Sequence, residues 1–474
     1  MPYINPAGKY DLFGNRQRRE FLSSARALMK KAEQLYPGQC YKMMTEVGEY
    51  TVIHPSLLNE IRNEPNLSFL KAFAANFHPH LPGFDGFAVG GRDDELIQRV
   101  IKKQLNKLLN QITQPLSEEA VFAMNVQLGN STDWRQIPIK DALLDIVARL
   151  SSRVFLGDEL CRNQDWLEIA KAYTVHAFLA AEVLRSYPSP IRSFIHWFLP
   201  ECRILRKDIQ EAKRIIGPVL SRRNKLGLEA LKNNTPAPEY DDVFSWLEEE
   251  SQGSKYDPVG AQLGFSLVAI HTTTDLACET MVRIAQNPEY FSLLRKEIVE
   301  ALQAEGWKKS ALFNMKLLDS VIKEAQRLKP ITSAVINRVA TKTVKLSDGT
   351  VIREGESCVG TTWQMYHPEV YSHPETFDGH RFERMRGISG LDSQAHLVST
   401  SPKHLGFGLG LHACPGRFFA ANEIKIILCH LLLKYEWRLV PERTLRTIDH
   451  GFALNSDPMA EIEIRSRNEI EIDL

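Results

Sequence analysis

The sequence predicts a mainly α-helical protein with small β-sheets at its side, and three observations support that prediction. Apolar residues recur at helical spacing along most of the 474 residues, for example in the charged amphipathic stretch 203–233. Strand-like alternation is confined to two places late in the chain. No repeat, low-complexity run or interdomain linker interrupts the pattern, so we expect residues 1–474 to form a single domain.

Two helices are marked most clearly. Asp257 and Pro258 offer an N-cap and a first-turn proline, and residues 262–281 are then apolar on most sides. Such a segment is typical of a helix buried through the middle of a large core. The second helix ends at Pro330, and its apolar residues repeat at helical spacing: Leu317, Leu318, Val321, Ile322, Ala325 and Leu328.

The strand signals predict a hairpin and a C-terminal strand. In the hairpin, residues 344–346 and 351–352 flank the pair Asp348-Gly349, which favours a primed turn. In the C-terminal strand, apolar and charged residues alternate, which indicates one buried and one solvated face. These residues are Ala460, Ile462 and Ile464 against Glu461, Glu463 and Arg465.

Composition and charge exclude several classes of function. Fifty-eight basic residues balance fifty-eight acidic ones, which argues against nucleic acid or an anionic membrane as the main partner. The longest apolar stretches, such as 263–270 and 426–433, have about half the length that a bilayer span requires. The seven cysteines are odd in number and never spaced as CxxC, so we expect reduced thiols rather than disulfides or structural zinc.

The sharpest motif is the glycine-rich segment 406–417, which contains a single cysteine, Cys414, just before the start of a predicted helix. Its alternating glycines let the backbone turn tightly and approach a bulky planar group, and Pro415-Gly416 permits an abrupt helix start. The helix N-terminus points at Cys414, so we expect the site to favour thiolate over thiol. A nucleotide loop is disfavoured because no βαβ pattern precedes it, whereas a small buried cysteine stays an alternative.

This segment resembles the heme-binding loop of the cytochrome P450 superfamily, whose fixed positions it matches at Phe407, Gly410, His412, Cys414 and Gly416. The resemblance covers essentially the whole chain and implies the cytochrome P450 fold with heme b as cofactor. It implies that Cys414 is the axial ligand of the heme iron and that His412 donates to a heme propionate. The further cofactor-contacting residues are then Phe407, Gly408 and Gly416.

The family also has a Glu-x-x-Arg pair, whose spacing places both side chains on one helical face. Five matches occur, and only Glu324/Arg327 lies on an apolar helix ended by proline. The other matches are Glu159/Arg162, Glu182/Arg185, Glu211/Arg214 and Glu383/Arg386. A segment similar to that of the family supplies a third member, Arg381, so we predict a buried structural cluster of Glu324, Arg327 and Arg381.

Other residues are assigned to the cofactor by the same resemblance. Arg338 resembles the family arginine that pairs with a propionate, and an exposed strand arginine is the alternative. A third propionate donor usually comes from an earlier helix, where Lys102 and Lys103 are equal candidates.

The central helix contains the run Thr272-Thr273-Thr274, and Thr272 falls on the family alcohol that hydrogen-bonds dioxygen. Self-satisfied packing of the threonines is the alternative. The acid that usually precedes this alcohol is replaced by His271, as in fungal members resembling ent-kaurene oxidases. His271 is either a core residue or a catalytic relay of protons towards bound oxygen.

The resemblance places substrate contacts in several segments, for which packing in the core is the alternative. Their apolar character favours a lipophilic terpenoid, alkaloid or polyketide. The predicted substrate contacts are Phe84, Phe87, Phe178, Ala269, Val335, Ile336 and Phe452.

The resemblance implies a heme-thiolate monooxygenase that oxidises a lipophilic secondary metabolite with dioxygen. Two alternatives stay open: oxidative bond formation, isomerisation or dehydration without oxygen insertion, and a non-catalytic heme protein. Electrons are expected from NADPH-cytochrome P450 reductase, with cytochrome b5 as a second donor, docking beside Cys414. Arg417 and Lys425 are candidates for a basic docking face there, and the favoured alternative is that both are plain solvated charges. A full-length form is expected at the cytosolic face of the endoplasmic reticulum membrane through an N-terminal anchor missing here, and this chain is expected to be soluble.

Overall fold

The computed structural model describes residues 1–7, 11, 14–441, 445–468 and 472. Helices dominate these residues, as the sequence predicts. The helices are α1 (Asn15–Leu35), α2 (Leu58–Ile61), α3 (Phe69–Phe77), α4 (Asp85–Gly90), α5 (Leu96–Val100), α6 (Asn106–Gln127), α7 (Ile139–Leu156), α8 (Gln164–Arg185), α9 (Ser189–Ile195), α10 (Pro200–Asn233), α11 (Val243–Ser251), α12 (Pro258–Gln286), α13 (Glu289–Glu305), α14 (Lys309–Asn314), α15 (Lys316–Leu328), α16 (Arg381–Arg386), α17 (Asp392–Ala395) and α18 (Arg417–Lys434). A π-helical turn (Ile101–Leu105) joins α5 to α6.

The strands are short. They are β1 (Tyr41–Met44), β2 (Glu49–Ile53), β3 (Leu67–Ser68), β4 (Arg135–Pro138), β5 (Ala334–Ala340), β6 (Val344–Lys345), β7 (Val351–Ile352), β8 (Ser357–Thr361), β9 (Tyr435–Leu439), β10 (Thr447–His450), β11 (Ala453–Ser456) and β12 (Glu461–Ser466). The chain divides into two compact units. The first comprises Met1–Ala75, Gly129–Leu143 and Thr272–Leu474, and the second Asn76–Leu128 and Leu144–His271.

The first unit contains every strand of the described residues. Its largest sheet has the order β1-β2-β8-β5-β3, in which only β2 and β8 pair in parallel. A three-stranded antiparallel sheet has the order β4-β12-β9, and β10-β11 and β6-β7 are antiparallel pairs. In β12, Ile462 and Ile464 are buried between charged neighbours, as the alternation predicts.

The second unit consists of helices packed around aromatic side chains. Trp166 and Tyr173 on α8 are fully buried, and the Trp166 indole N–H donates to Ser152 Oγ at 3.0 Å. The backbones of α4 and α12 meet at two glycines, because a Cβ on Gly264 would lie 2.7 Å from the Gly86 carbonyl oxygen. Glycine is therefore required where these helices touch.

Local signals in the sequence set several helix ends. Asp257 Oδ1 accepts a hydrogen bond from Val259 N at 3.0 Å, which confirms the predicted N-cap of α12.

The predicted hairpin of β6 and β7 is confirmed, but the prediction of a primed turn is wrong. Leu346 pairs with Thr350 around a three-residue loop in which only Gly349 has a positive φ, +88°. This geometry belongs to the three-residue class of hairpin, in which glycine occupies the left-handed position.

All seven cysteines are free, as expected. Among the residues that the structure describes, no helix is both long enough and apolar enough to cross a membrane.

The C-terminal strand offers a test of the core. We expect Ile464→Ala to lower the free energy of unfolding by about 2 to 5 kcal/mol, because Ile464 is 1% exposed and its loss leaves a cavity. Ile448→Ala is the matched control: its side chain is 43% exposed, so the loss should stay within about 0.5 kcal/mol. Urea denaturation of both variants would measure this, and equal losses would contradict the packing described.

Candidate functional site

The loop before α18 owes its shape to glycine. Gly408 and Gly410 have φ of +75° and +78°, the left-handed region that other residues rarely adopt. A Cβ on Gly410 would also lie 2.5 Å from Asn63 Oδ1. The Cys414 amide then donates to the Phe407 carbonyl at 2.8 Å, which closes the loop just before the helix begins. The motif therefore fixes where the thiol lies.

The Cys414 thiol is exposed, whereas the other six cysteines are buried. Protein still surrounds it closely enough that desolvation raises its pKa, against the opposing effects of the Gly416 and Arg417 amides and the Arg417 guanidinium. Without a metal, the helix N-terminus and these groups do not offset the desolvation, and the thiolate at Cys414 stays a prediction. A metal ion bound to the sulfur would supply the missing stabilisation, because a coordinating thiol is deprotonated.

Three side chains of the first unit form a stack beside this loop. The His412 ring lies over the Phe69 ring, with centroids 5.0 Å apart and planes 25° apart. The Arg338 guanidinium lies over the same Phe69 ring at 5.6 Å. The structure thus brings His412 and Arg338, which the sequence separates by more than seventy residues, onto one aromatic ring.

Arg338 is a buried cation, not an exposed strand arginine. Its residue is 3% exposed, and burial lowers its pKa to about 10. Within the described ion pairs it has no carboxylate partner, and its one described hydrogen bond goes to the Asn337 carbonyl at 2.8 Å. A buried guanidinium without a carboxylate fits an anionic ligand.

A β-bulge turns Arg338 inwards. The register between β5 and β8 shifts between Val335 and Arg338, and Ile336 within this bulge has φ +56°. Such a conformation is strained for a β-branched residue and persists only where the surroundings enforce it. Bulges re-aim side chains in this way, often beside functional sites.

Glu324, Arg327 and Arg381 lie together in the interior. The Glu324 and Arg327 side chains are fully buried and pair twice at 2.8 Å. Arg381 Nε lies 3.0 Å and 3.1 Å from the two Glu324 oxygens, and the Asp378 amide donates to the same carboxylate. The two other described hydrogen bonds of Arg327 go to main-chain carbonyls, those of Met365 and Pro374, both at 2.7 Å.

The other Glu-x-x-Arg matches differ from this pair. Glu211 and Arg214 pair in solvent, and Glu159, in a turn after α7, pairs with Arg222 on α10. Arg162 pairs with Glu119, and Arg386 with Asp319. Both lysines considered for a propionate are exposed, and Lys103 Nζ lies 3.1 Å from Glu250 Oε2.

The central helix α12 has one open face in its middle. Val268 and Thr272, one turn apart, are exposed, and Ala269 between them is half-buried. Thr273 and Thr274 are buried, so Thr272 is the member of the threonine run that faces open space. A ligand above this face can therefore be reached by the Thr272 hydroxyl.

His271 faces another helix. Its Nε2 lies 3.0 Å from the Lys171 carbonyl on α8, and since a carbonyl only accepts, Nε2 carries the proton. Any proton that this ring accepts would therefore enter at Nδ1. The relay role of His271 stays a prediction.

The predicted substrate contacts separate into two groups. Phe178 is 44% exposed, and Val335 and Ala269 are half-buried, so these three have surface to offer. Phe84, Phe87 and Ile336 are buried and fit the alternative of core packing. Phe452 is half-buried, and its ring packs against Phe21 at 4.8 Å and against Tyr50 at 6.4 Å, so its contacts too fit core packing.

The prediction that Lys425 contributes to a basic docking face is wrong. Lys425 is 4% exposed, and its Nζ lies 2.6 Å from Asp319 Oδ1 and 2.8 Å from the Leu312 carbonyl. Burial works to raise the pKa of Asp319, but Lys425, Arg386 and the Leu397 amide hold it below its usual range. Arg417 is partly exposed and bonds to the Val398 and Cys414 carbonyls.

Sequence reasoning missed two residues of the site. Phe69 stacks with His412, but an aromatic residue at the start of a short helix carries no signal of that contact. Lys323, which directly precedes Glu324, is fully buried among main-chain carbonyls. A lysine on the apolar face of α15 was a signal that could have found it.

The comparisons with known proteins agree with this geometry. The family profile described as Cytochrome P450 matches residues 95–461. The chain is 44% identical over 477 residues to "Cytochrome P450 monooxygenase eqxH" of Fusarium heterosporum, covering 100% of this chain and 91% of that protein. It is 43% identical to "Cytochrome P450 monooxygenase hepE" of Aspergillus oryzae, covering 99% and 86%.

A solved structure shows the same fold. "Retinoic acid bound cyanobacterial CYP120A1" superposes with a TM-score of 0.69 at 15% identity, covering 95% of this chain and 96% of that chain. At this identity the likeness concerns the fold alone.

The buried carboxylate gives a first prediction for the site. We expect Glu324→Ala to cost about 3 to 5 kcal/mol of unfolding free energy and to abolish heme retention, because two arginines lose their buried counter-ion. Glu211→Ala, which removes an exposed pair of the same spacing, should change neither property. Denaturation curves and heme content would measure both, and a stable, heme-loaded Glu324→Ala protein would refute the role of the cluster.

The loop glycine gives a second prediction. Gly410→Ala combines a left-handed φ, at a cost of about 1 to 2 kcal/mol, with a clash against Asn63. Gly390 has a similar φ, +82°, and open space where a Cβ would lie, so Gly390→Ala measures the cost of the left-handed backbone without a clash. We expect Gly410→Ala to destabilise the protein more and alone to reduce heme binding. Equal heme content in the two variants would count against the predicted role of the clash.

Proposed function

The chain belongs to the cytochrome P450 family of monooxygenases, and from this premise we propose that it binds heme b through Cys414 and oxidises a lipophilic secondary metabolite. The observation that carries the proposal is the exposed thiol at the start of α18, presented by a loop that only glycine permits. A thiolate-ligated heme supplies reductive activation of dioxygen and oxidation of unactivated carbon–hydrogen bonds. The remaining tasks fall to the side chains around it.

The side chains around Cys414 in the first unit support the proposal of a bound heme and its propionates. Cys414 offers a soft sulfur ligand, and the Gly416 and Arg417 amides direct their hydrogens towards it. Arg338 and His412, joined through the Phe69 ring, are the proposed partners of propionate oxygens. Pairing with a carboxylate would remove the cost of burying the Arg338 charge.

Thr272 is the proposed proton donor on α12. Its exposed position lets its hydroxyl donate to oxygen and receive a proton in turn from water, whereas buried Thr273 has no such access. His271 fixes the helix through its bond to the Lys171 carbonyl, and we retain its relay through Nδ1 as part of the proposal. A proton supply at Thr272 would couple electron use to product formation.

The substrate is proposed to be a lipophilic terpenoid, alkaloid or polyketide. The open residues of the predicted set, Phe178, Ala269 and Val335, are apolar, and apolar lining favours a ligand with a large hydrocarbon surface. Phe84, Phe87 and Ile336, which are buried, and Phe452, whose ring packs against Phe21 and Tyr50, are not part of this proposal. The names of the fungal relatives specify monooxygenases, which supports oxidation.

Electrons are proposed to come from NADPH-cytochrome P450 reductase at the cytosolic face of the endoplasmic reticulum membrane. No basic pair of Arg417 and Lys425 supports the docking, because Lys425 is buried. Arg417 is the remaining candidate on the predicted docking face, and cytochrome b5 is the proposed second donor.

A labelled-oxygen experiment tests the proposal. With reductase, NADPH and ¹⁸O-labelled dioxygen, we expect one labelled atom in the product and the thiolate-type spectrum of the reduced carbon monoxide complex. We expect Thr272→Val to lower product per NADPH by about 10²-fold through loss of the proton donor. Thr273→Val, the buried neighbour, should retain coupling.

The outcomes separate the candidate functions. Turnover without label in the product would favour oxidative bond formation or rearrangement. No oxygen consumption with any ligand would favour a non-catalytic heme protein. Loss of coupling in Thr273→Val but not in Thr272→Val would overturn the assignment of the proton donor.

A further inference from the structure

Lys323 is a buried lysine whose ammonium is held by main-chain carbonyls. The residue is 0% exposed, and its Nζ donates to the carbonyls of Gln394 at 2.8 Å, His396 at 2.6 Å and Ser399 at 3.3 Å. It also lies 4.9 Å from the centre of the Phe382 ring. A charge buried in this way is costly unless it has full hydrogen bonding, so the three carbonyls and the ammonium define each other's positions.

The segment that Lys323 holds, residues 394–399, contacts the first residue of α18. Within it, the Val398 carbonyl accepts a hydrogen bond from Arg417 Nε at 3.1 Å. Arg417 Nη1 donates to the Cys414 carbonyl at 2.8 Å, and its backbone amide is one of the two aimed at the Cys414 sulfur. Hydrogen bonds at both ends of this backbone segment therefore connect Lys323 to Arg417 and to the proposed heme ligand.

We propose that Lys323 is a positioning residue for Cys414, acting through the 394–399 segment and Arg417. The inference rests on the proposed function, because it assigns Cys414 to the heme iron. Donors around a ligating sulfur tune its electron donation, so a displaced Arg417 would change both the orientation and the donor strength of the sulfur. Lys323 touches neither cofactor nor substrate in this role.

Four charged or titratable side chains near Lys323 affect its protonation or are affected by it. Asp319 on the same helix favours its protonated form, and Arg386, His396 and His404 lie on the segments that pack against it. Burial outweighs Asp319 and lowers the pKa of Lys323 to about 7. Above that pH the neutral amine has two N–H groups for three carbonyls.

The first test replaces the donor. In Lys323→Met the three carbonyls lose their common partner, and we expect heme to dissociate about 10-fold to 100-fold faster. The thiolate-type spectrum of the reduced carbon monoxide complex should also weaken. Lys323→Arg keeps a donor with a fixed charge and should restore most of the spectrum.

Lys329→Met is the matched control. Lys329 is another buried lysine of the first unit, paired with Asp275 and bonded to Ser456 Oγ at 2.8 Å, and it has no described bond to the 394–399 segment. Its loss should reduce stability but leave the spectrum and the heme dissociation rate unchanged. If both lysine variants changed the spectrum equally, a general structural effect would replace the proposed one.

A double-mutant cycle with Arg417→Gln tests the connection. If Lys323 acts through Arg417, the double variant should lose heme no faster than the worse single variant. Rate changes that multiply would overturn the proposal. If Lys323→Met fails to fold, a milder Lys323→Gln variant takes its place in the cycle, and Arg417→Gln stays measurable because Arg417 is partly exposed.

The pH dependence gives a readout that stability cannot mimic. As the pH rises through about 7, the wild-type spectrum should weaken, whereas that of Lys323→Arg should not. Over the same change the stability contribution of Lys323 rises, because its folded pKa lies below the ordinary value of 10.5. A flat wild-type profile would contradict the proposal. A wild-type protein with no thiolate-type spectrum at any pH would instead refute the proposed function.

Discussion

The cost of burying charge without partners governs the first unit around the cysteine loop. Glu324 is fully buried, and its two oxygens accept from Arg327, Arg381 and the Asp378 amide. A carboxylate in the interior is tolerated only when its lone pairs are occupied with good geometry. The chain around Asp378 therefore has to lie where its amide and the two guanidinium groups can reach one carboxylate.

Asp319, five residues before Glu324 on α15, is a second buried carboxylate that needs partners. Asp319 accepts from Lys425, Arg386 and the Leu397 amide, so this helix fixes α16, α18 and the 394–399 segment through side-chain charges. Apolar replacements of buried ion pairs are often more stable, so stability alone does not explain such networks. What the charges add here is position, because each hydrogen bond specifies a distance and a direction that apolar contacts leave free.

Local signals predicted much of the fold, and they failed where burial depended on distant residues. The N-cap at Asp257 and the proline after α15 act within one turn, so the sequence shows them directly. The burial of Arg338 depends on a bulge at Ile336 and on the position of Phe69, and no sequence period reports either. Lys425 was predicted to lie on the docking surface, and that prediction failed because its partner Asp319 lies more than a hundred residues away in the sequence.

The cysteine loop shows how both kinds of information combine. Glycine at position 410 is required by φ and by the nearby Asn63, which makes the motif specific in sequence. The motif says less about electrostatics, because desolvation of Cys414 outweighs its amide donors and raises the thiol pKa. The helix N-terminus and these amides do not offset that desolvation, so the sulfur, as the proposed metal ligand, would become ionised on binding the metal. The loop is also joined to the 394–399 segment, because Arg417 donates to the carbonyls of both Val398 and Cys414, and the glycine motif does not predict that contact.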